Sequence, residues 1–153
     1  MTLSVKKSLK VPLNPEKAFD LFTLRIGDWW PLETHSVSGN SAELDPAQSI
    51  RFEPGSAGRI VETLADGSDS VWAHVTRWER PSRFELAWYP SDGPDVTTRV
   101  DVRFSPEDDG TRIDLVHDGF EVHGARAQKL RDNYNSGWDP VMGRLASHLE
   151  VVA

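Results

Sequence analysis

Apolar and polar positions alternate along most of this chain, and near its end the spacing changes. Leu3, Val5, Leu9 and Val11 alternate with Ser4, Lys6, Ser8 and Lys10, which predicts a half-buried first strand. Asn14-Pro15-Glu16 reads as a helix cap, a proline at the first helical position and an acidic first turn. Ala18, Phe19, Leu21 and Phe22 give that helix its apolar face to about Leu24, and Gly27 separates it from a second short helix or turn at Asp28-Trp29-Trp30-Pro31. A polar, turn-rich stretch follows from Glu33 to Pro46. Short strands are predicted from Ile50 and Phe52, over 58–64, 71–79, 84–90 and 96–104, and through Ile113, Leu115 and His117. Asp66-Gly67, Arg80-Pro81-Ser82 and Glu107-Asp108-Asp109-Gly110 supply turns between them. After Phe120, Leu130, Tyr134, Trp138, Val141, Leu145 and Leu149 recur at helical spacing. Pro140 lacks the N–H that a helix interior uses, so a break near Gly137 is expected, with Asp139 capping a final helix that Pro140 opens.

Strand, two short helices, a meander of strands and one long terminal helix define an α+β architecture. An antiparallel meander with alternating faces can bury one side under that helix. The pattern carries no repeat or linker, so one domain over residues 1–153 is expected. That length buries roughly 70% of the unfolded surface, and 38% hydrophobic with 27% charged residues is an ordinary globular balance.

Charge and cysteine content narrow the partners. A net charge of −7 repels phosphate backbones, and Lys6, Lys7 and Lys10 read as one strand face, so no nucleic-acid partner is expected. The absence of cysteine removes disulfides, thiolate ligands and a thiol nucleophile. Residues 1–10 hold no signal-like apolar segment and no stretch is long enough for a membrane span, so a cytoplasmic location without membrane insertion is expected.

Several motifs resemble one family. Thr98-Arg99-Val100-Asp101-Val102-Arg103-Phe104, the run Gly110 to Phe120, and Gly137-Trp138 with Leu145 look like the C-terminal signature of the AHSA1-like group. That group is named for the activator of Hsp90 ATPase and sits in the START-like, Bet v 1-like (SRPBCC) superfamily. Trp78-Glu79-Arg80-Pro81-Ser82-Arg83-Phe84 resembles its strand-turn-strand motif, and Trp29 to Ser36 resembles a feature of one bacterial branch. The resemblance implies a helix-grip fold, in which a curved antiparallel sheet of about six or seven strands wraps around the C-terminal helix. It also implies, commonly, a pocket for an apolar ligand. Superfamily members bind lipids, steroids or polyketides, and a few are cyclases or hydrolases. The chaperone role belongs to longer proteins with an added N-terminal domain.

Candidate pocket residues follow from phase. His117 shares the face of Ile113 and Leu115, and is either a core imidazole or a ligand contact. Tyr134, Trp138 and Met142 share a helical stripe, and Trp88 and Val102 occupy inward strand positions, where core and pocket wall coincide. Trp30 and His35 sit where the family places its pocket mouth; of the adjacent Trp29 and Trp30, one packs inward and the other gates the pocket or stays partly exposed. Glu62 and His74 are candidate polar groups of unassigned face. A two-residue turn at Pro81-Ser82 puts Val71, Ala73 and Val75 inward, whereas a three-residue turn puts Trp72 and His74 inward.

Catalytic motifs are missing: there is no nucleophile elbow, phosphate loop or dinucleotide fingerprint. His35, His74, His117, His123 and His148 lack metal-ligand spacing, so neither metal nor cofactor is expected. The reading is a binding protein for a small apolar or aromatic molecule, as monomer or homodimer. Two alternatives stand beside it. One is a small cyclase, dehydratase or hydrolase using His117 with Glu62 or His74. The other is a protein-interaction or co-chaperone-like module docking through Trp29 or Trp30.

Overall fold

The computed structural model describes residues 3–31, 34–35, 49–90 and 96–152. Its strands are β1 (Ser4–Val11), β2 (Ser49–Phe52), β3 (Arg59–Thr63), β4 (Asp69–Glu79), β5 (Arg83–Trp88), β6 (Thr98–Glu107) and β7 (Gly110–Asp118). All pairings are antiparallel, in the order β1-β7-β6-β5-β4-β3-β2. Strands β2 to β7 are therefore a plain meander, and β1 closes the far edge against β7. With helices α1 (Pro15–Phe22) and α2 (Ala127–Val152), this is the α+β helix-grip arrangement.

Local chemistry explains the element ends. The Asn14 side chain accepts the Lys17 N–H at 2.9 Å, and Pro15 occupies the first helical position. Helix α1 stops at Phe22, two residues before the expected end, with Thr23 at the C-cap and its hydroxyl bonded to the Phe19 carbonyl at 2.8 Å. The β6–β7 hairpin closes through Asp108-Asp109, with Glu107 opposite Gly110. Gly110 has a packing reason, since a Cβ there would lie 2.0 Å from the Val11 carbonyl oxygen.

The expected break at Gly137 does not occur, and α2 runs through Pro140 without interruption. Proline removes one donor, which would have served the carbonyl of Ser136. Both Ser136 and Pro140 are exposed, so water can take the freed acceptor, and Trp138, Val141, Met142, Leu145 and Leu149 keep the inner face buried. Packing on the sheet thus overrides the local preference. Pro140→Ala is expected to raise folding stability by about 1–3 kcal/mol, read by urea denaturation, because it restores a donor and improves helix propensity.

The interior divides into two aromatic groups. At the α1 end, Phe19, Phe22, Phe84 and Phe104 meet at ring-centroid separations of 5.1–6.0 Å, joined by Phe52 and Trp78. At the other end, where β5 finishes and β6 begins, the rings are tryptophans and the polar groups gather. Trp29 links the two, 5.2 Å from Phe22 and 5.8 Å from Trp30.

Two register shifts in β4 settle its facing. The connection to β5 is the three-residue turn Arg80-Pro81-Ser82, which sets Trp78 opposite Phe84. A shift between Val75 and Arg77 then flips the phase, so Val75 and Ala73 face inward opposite Leu86 and Trp88. A second shift, against β3 between Ile60 and Val61, leaves Trp72 as an extra residue, and its side chain is buried too. Neither simple parity holds: Ala73, Val75 and Trp72 are interior, while His74 is exposed on the outer face.

Candidate functional site

Four tryptophans from four elements form the centre of the polar end. Trp30 follows the short 3-10 turn Ile26–Asp28, Trp72 and Trp88 come from β4 and β5, and Trp138 comes from α2. Trp30 is the keystone, with ring centroids 5.4 Å from Trp72, 5.9 Å from Trp138 and 6.5 Å from Trp88. Trp88 in turn lies 5.6 Å from Trp138 and 6.1 Å from Trp72. Such tilted and edge-to-face contacts are the favoured arrangements for aromatic rings.

Each indole N–H is tied to a specific acceptor. Trp30 donates to the His35 carbonyl at 2.7 Å, Trp72 to the Glu62 carboxylate at 3.0 Å, Trp88 to the Tyr134 hydroxyl at 3.1 Å and Trp138 to His117 Nδ1 at 3.0 Å. Trp29 donates to the Leu21 carbonyl at 2.8 Å. Both members of the Trp29-Trp30 pair are buried, at 2% and 8% exposure, so neither stays partly exposed and neither is the exposed ring that the interaction-module alternative needs. The irregular backbone after the 3-10 turn lets adjacent side chains point the same way, which a strand or helix would forbid.

His117 is the hub of the network. An indole N–H can only donate, so His117 Nδ1 accepts and the ring proton sits on Nε2. That Nε2–H donates to the Thr98 hydroxyl at 2.7 Å, and Thr98 donates to the Trp88 carbonyl at 3.3 Å. Phe120 and Tyr134 flank the imidazole, each with its ring centroid 4.6 Å away. Burial lowers the His117 pKa from 6.5 to about 3, with Asp118 opposing, so the ring is neutral at physiological pH. Both nitrogens are engaged within the protein, which makes His117 a scaffold for Trp138 and Trp88.

Glu62 is a further buried polar residue at this end, fully buried on β3 and bonded to Trp72. Val102 and Met142 are buried, and Tyr134 is partly buried against the core. His35 is partly exposed, with its ring bonded to Thr34 and its carbonyl to Trp30. His74 does not join the group. It stacks on Tyr89 outside the sheet and hydrogen-bonds its hydroxyl, which removes it from the candidate acid–base pairs.

Two contributors escape the sequence reading, Thr98 and Phe120, and Trp72 enters it only as one of two alternatives for the inward face of 71–79. Thr98 had a usable signal, being in phase with Val100 and Val102. For Trp72 turn length alone left the face open, because a bulge decides its direction. The outer face of the sheet is different in kind, an ion-pair lattice in which Arg83 grips Asp101 and Arg99 grips Asp118, each through two bonds of 2.7–3.0 Å. Arg99 holds the Asp118 carboxyl below its ordinary range. Among the described residues, no group of three or more His, Cys, Asp or Glu is placed to hold a metal, and no helix is long and apolar enough to cross a membrane.

The family described as activator of Hsp90 ATPase homolog 1-like protein matches residues 12–150. The chain belongs to the AHSA1-like family. No curated protein matches it. Among solved structures, the AHSA1-like fold is shared with protein MLL2253 from Mesorhizobium loti, at 16% identity and TM-score 0.68, covering 98% of each chain. An AHSA1-like protein from Aeromonas hydrophila shares it at 21% identity and TM-score 0.60, over 97% of this chain and 94% of that one. The chain is also similar to a complex of the anthrahydroquino-gamma-pyrone synthase Txn09, at 30% identity and TM-score 0.57, over 82% of each.

Proposed function

We propose that this AHSA1-like protein binds a small, flat, largely apolar aromatic molecule at the tryptophan end of its interior, between the sheet and α2. The observation that carries the reading is the group Trp30, Trp72, Trp88 and Trp138, whose N–H groups are each committed to a protein acceptor. Indoles anchored by their edges offer rigid apolar faces, at little cost in side-chain ordering. The likeness to the anthrahydroquino-gamma-pyrone synthase Txn09 supports a fused-ring ligand. Burying ~300 Å² of such a ligand at ~25 cal/mol/Å² gives roughly 7 kcal/mol before association costs, so dissociation constants no tighter than about 1–10 μM are expected.

The test is a fluorescence titration with a hydroxyanthraquinone. Saturable quenching of tryptophan emission at about one equivalent of sites supports the proposal, and linear, non-saturating quenching ends it.

A second reading, a ring-closing enzyme, is favoured by one residue and one relative: the buried Glu62 and the synthase just named. With both ring nitrogens of His117 engaged by Trp138 and Thr98, Glu62 is the carboxyl at this end for an acid–base role.

A further inference from the structure

The outer face of the sheet carries a groove of about 410 Å³, formed by Ser4 and Lys6 of β1, Val116 and Asp118 of β7, and Arg99, Asp101 and Arg103 of β6. Its floor is Val116, which the strand pairing sets between Lys6 and Asp101. A short apolar side chain between two long-chained rows leaves a depression there.

Negative charge around the groove is already committed. Asp101 takes two bonds from Arg83, at 2.9 and 3.0 Å, and Asp118 takes two from Arg99, at 2.7 and 2.9 Å. On the neighbouring row, Arg112 holds Asp114 at 3.0 Å. Glu107, the remaining carboxylate in phase on β6, lies at the hairpin tip. The positive charge is held less closely. Arg103 reaches Asp101 at 3.5 Å with its side chain 60% exposed. Among the described residues, exposed Lys6 and Lys10 make no ion pair. Lys7 shows the contrast, since it shares the inward phase of Val5 and Leu9 and pairs with Asp139 at 2.8 Å.

The shape selects among anions. Lys6 and Lys10 stand on the edge strand β1, about 13–14 Å apart at ~3.4 Å per residue. One carboxylate or phosphate cannot span that distance, and an open groove cannot enclose a small molecule as ligand pockets do. The carboxylates on this face and the net charge of −7 disfavour a nucleic-acid backbone. An extended peptide with acidic side chains four residues apart matches both lysines.

We infer that the outer face of β1, β7 and β6 is a docking surface for a protein partner that presents an exposed, extended acidic segment. One carboxylate sits over Val116 between Lys6 and Arg103, and another meets Lys10. The surface lies across the sheet from the tryptophan group, so the inference stands apart from the binding reading above.

The probe is a terminally blocked hexaglutamate peptide, titrated into the isotopically labelled 153-residue chain and followed by NMR. Saturable shifts are expected at Val116 and along 4–10, with affinity about tenfold weaker on raising salt from ~20 to ~150 mM, because exposed charges are screened. Lys6→Glu should abolish the shifts, and Lys10→Glu should weaken binding about threefold or more. Lys17→Glu makes the same charge change at an exposed position of α1 and should leave binding unchanged. All three positions are exposed, so the variants keep the fold. Shifts spread evenly over the surface, an unchanged response in Lys6→Glu, or an equal loss in Lys17→Glu overturns the site. Tighter binding at Val116 and Lys6 by duplex DNA, or by vesicles of equal parts phosphatidylcholine and phosphatidylserine, overturns the protein partner as its occupant.

Discussion

Replacing Trp30 by alanine is expected to cost about 4 kcal/mol of folding stability, the range for removing a buried aromatic side chain. Trp30 touches Trp29, Trp72, Trp88 and Trp138, so its loss opens a void among four large rings that belong to different elements. It also frees the His35 carbonyl from its indole donor. Urea denaturation reads the stability, and the hydroxyanthraquinone titration should lose its saturable component in the same variant. Trp30→Phe preserves most of the volume and should cost only about 1–2 kcal/mol. If alanine and phenylalanine behave alike, Trp30 is not the keystone its contacts describe.

His117→Leu is the second large effect, with an expected loss of about 3 kcal/mol. The leucine fills much of the space but leaves the Trp138 N–H buried without an acceptor, a penalty of roughly 1–3 kcal/mol in addition to the lost ring contacts. Trp138→Phe removes the other half of the same bond. The double variant should therefore lose less than the sum of the two single ones, which a double-mutant cycle measures.

The same residue predicts a pH dependence of stability. In the unfolded chain His117 takes up a proton near pH 6.5, but in the folded protein only near pH 3. Between those values the unfolded state binds more protons, so stability falls as pH drops below 6.5. The slope is at most about 1.4 kcal/mol per pH unit for this one site. Protonation would also turn Nδ1 into a donor facing the Trp138 N–H, which supplies the structural reason. The leucine variant should lack this slope between pH 6.5 and 4.5. The carboxyls held low by arginines, Asp20, Glu53 and Asp118, add their own loss of stability from about pH 5 downward, as the unfolded carboxylates protonate.

Much of this protein is determined by its sequence alone. Alternation in 3–11, 84–88 and 98–104, and the helical stripe from Leu130 to Leu149, place strands and helix, because burial of one face selects one periodicity for each. The same phase argument places His117, Val102, Trp88 and Trp138 in the interior. Only the tertiary structure decided the rest. The two register shifts of β4 carry no local signal, yet they bring Trp72 inside and put His74 outside. Pro140 stays helical because the opposite, apolar face of its helix is held by the sheet, a stabilisation that no local propensity contains. The polar network joins Trp138 to His117 across 21 residues and Tyr134 to Trp88 across 46. Periodicity fixes which face a side chain is on, and only the folded chain fixes which partner it meets there.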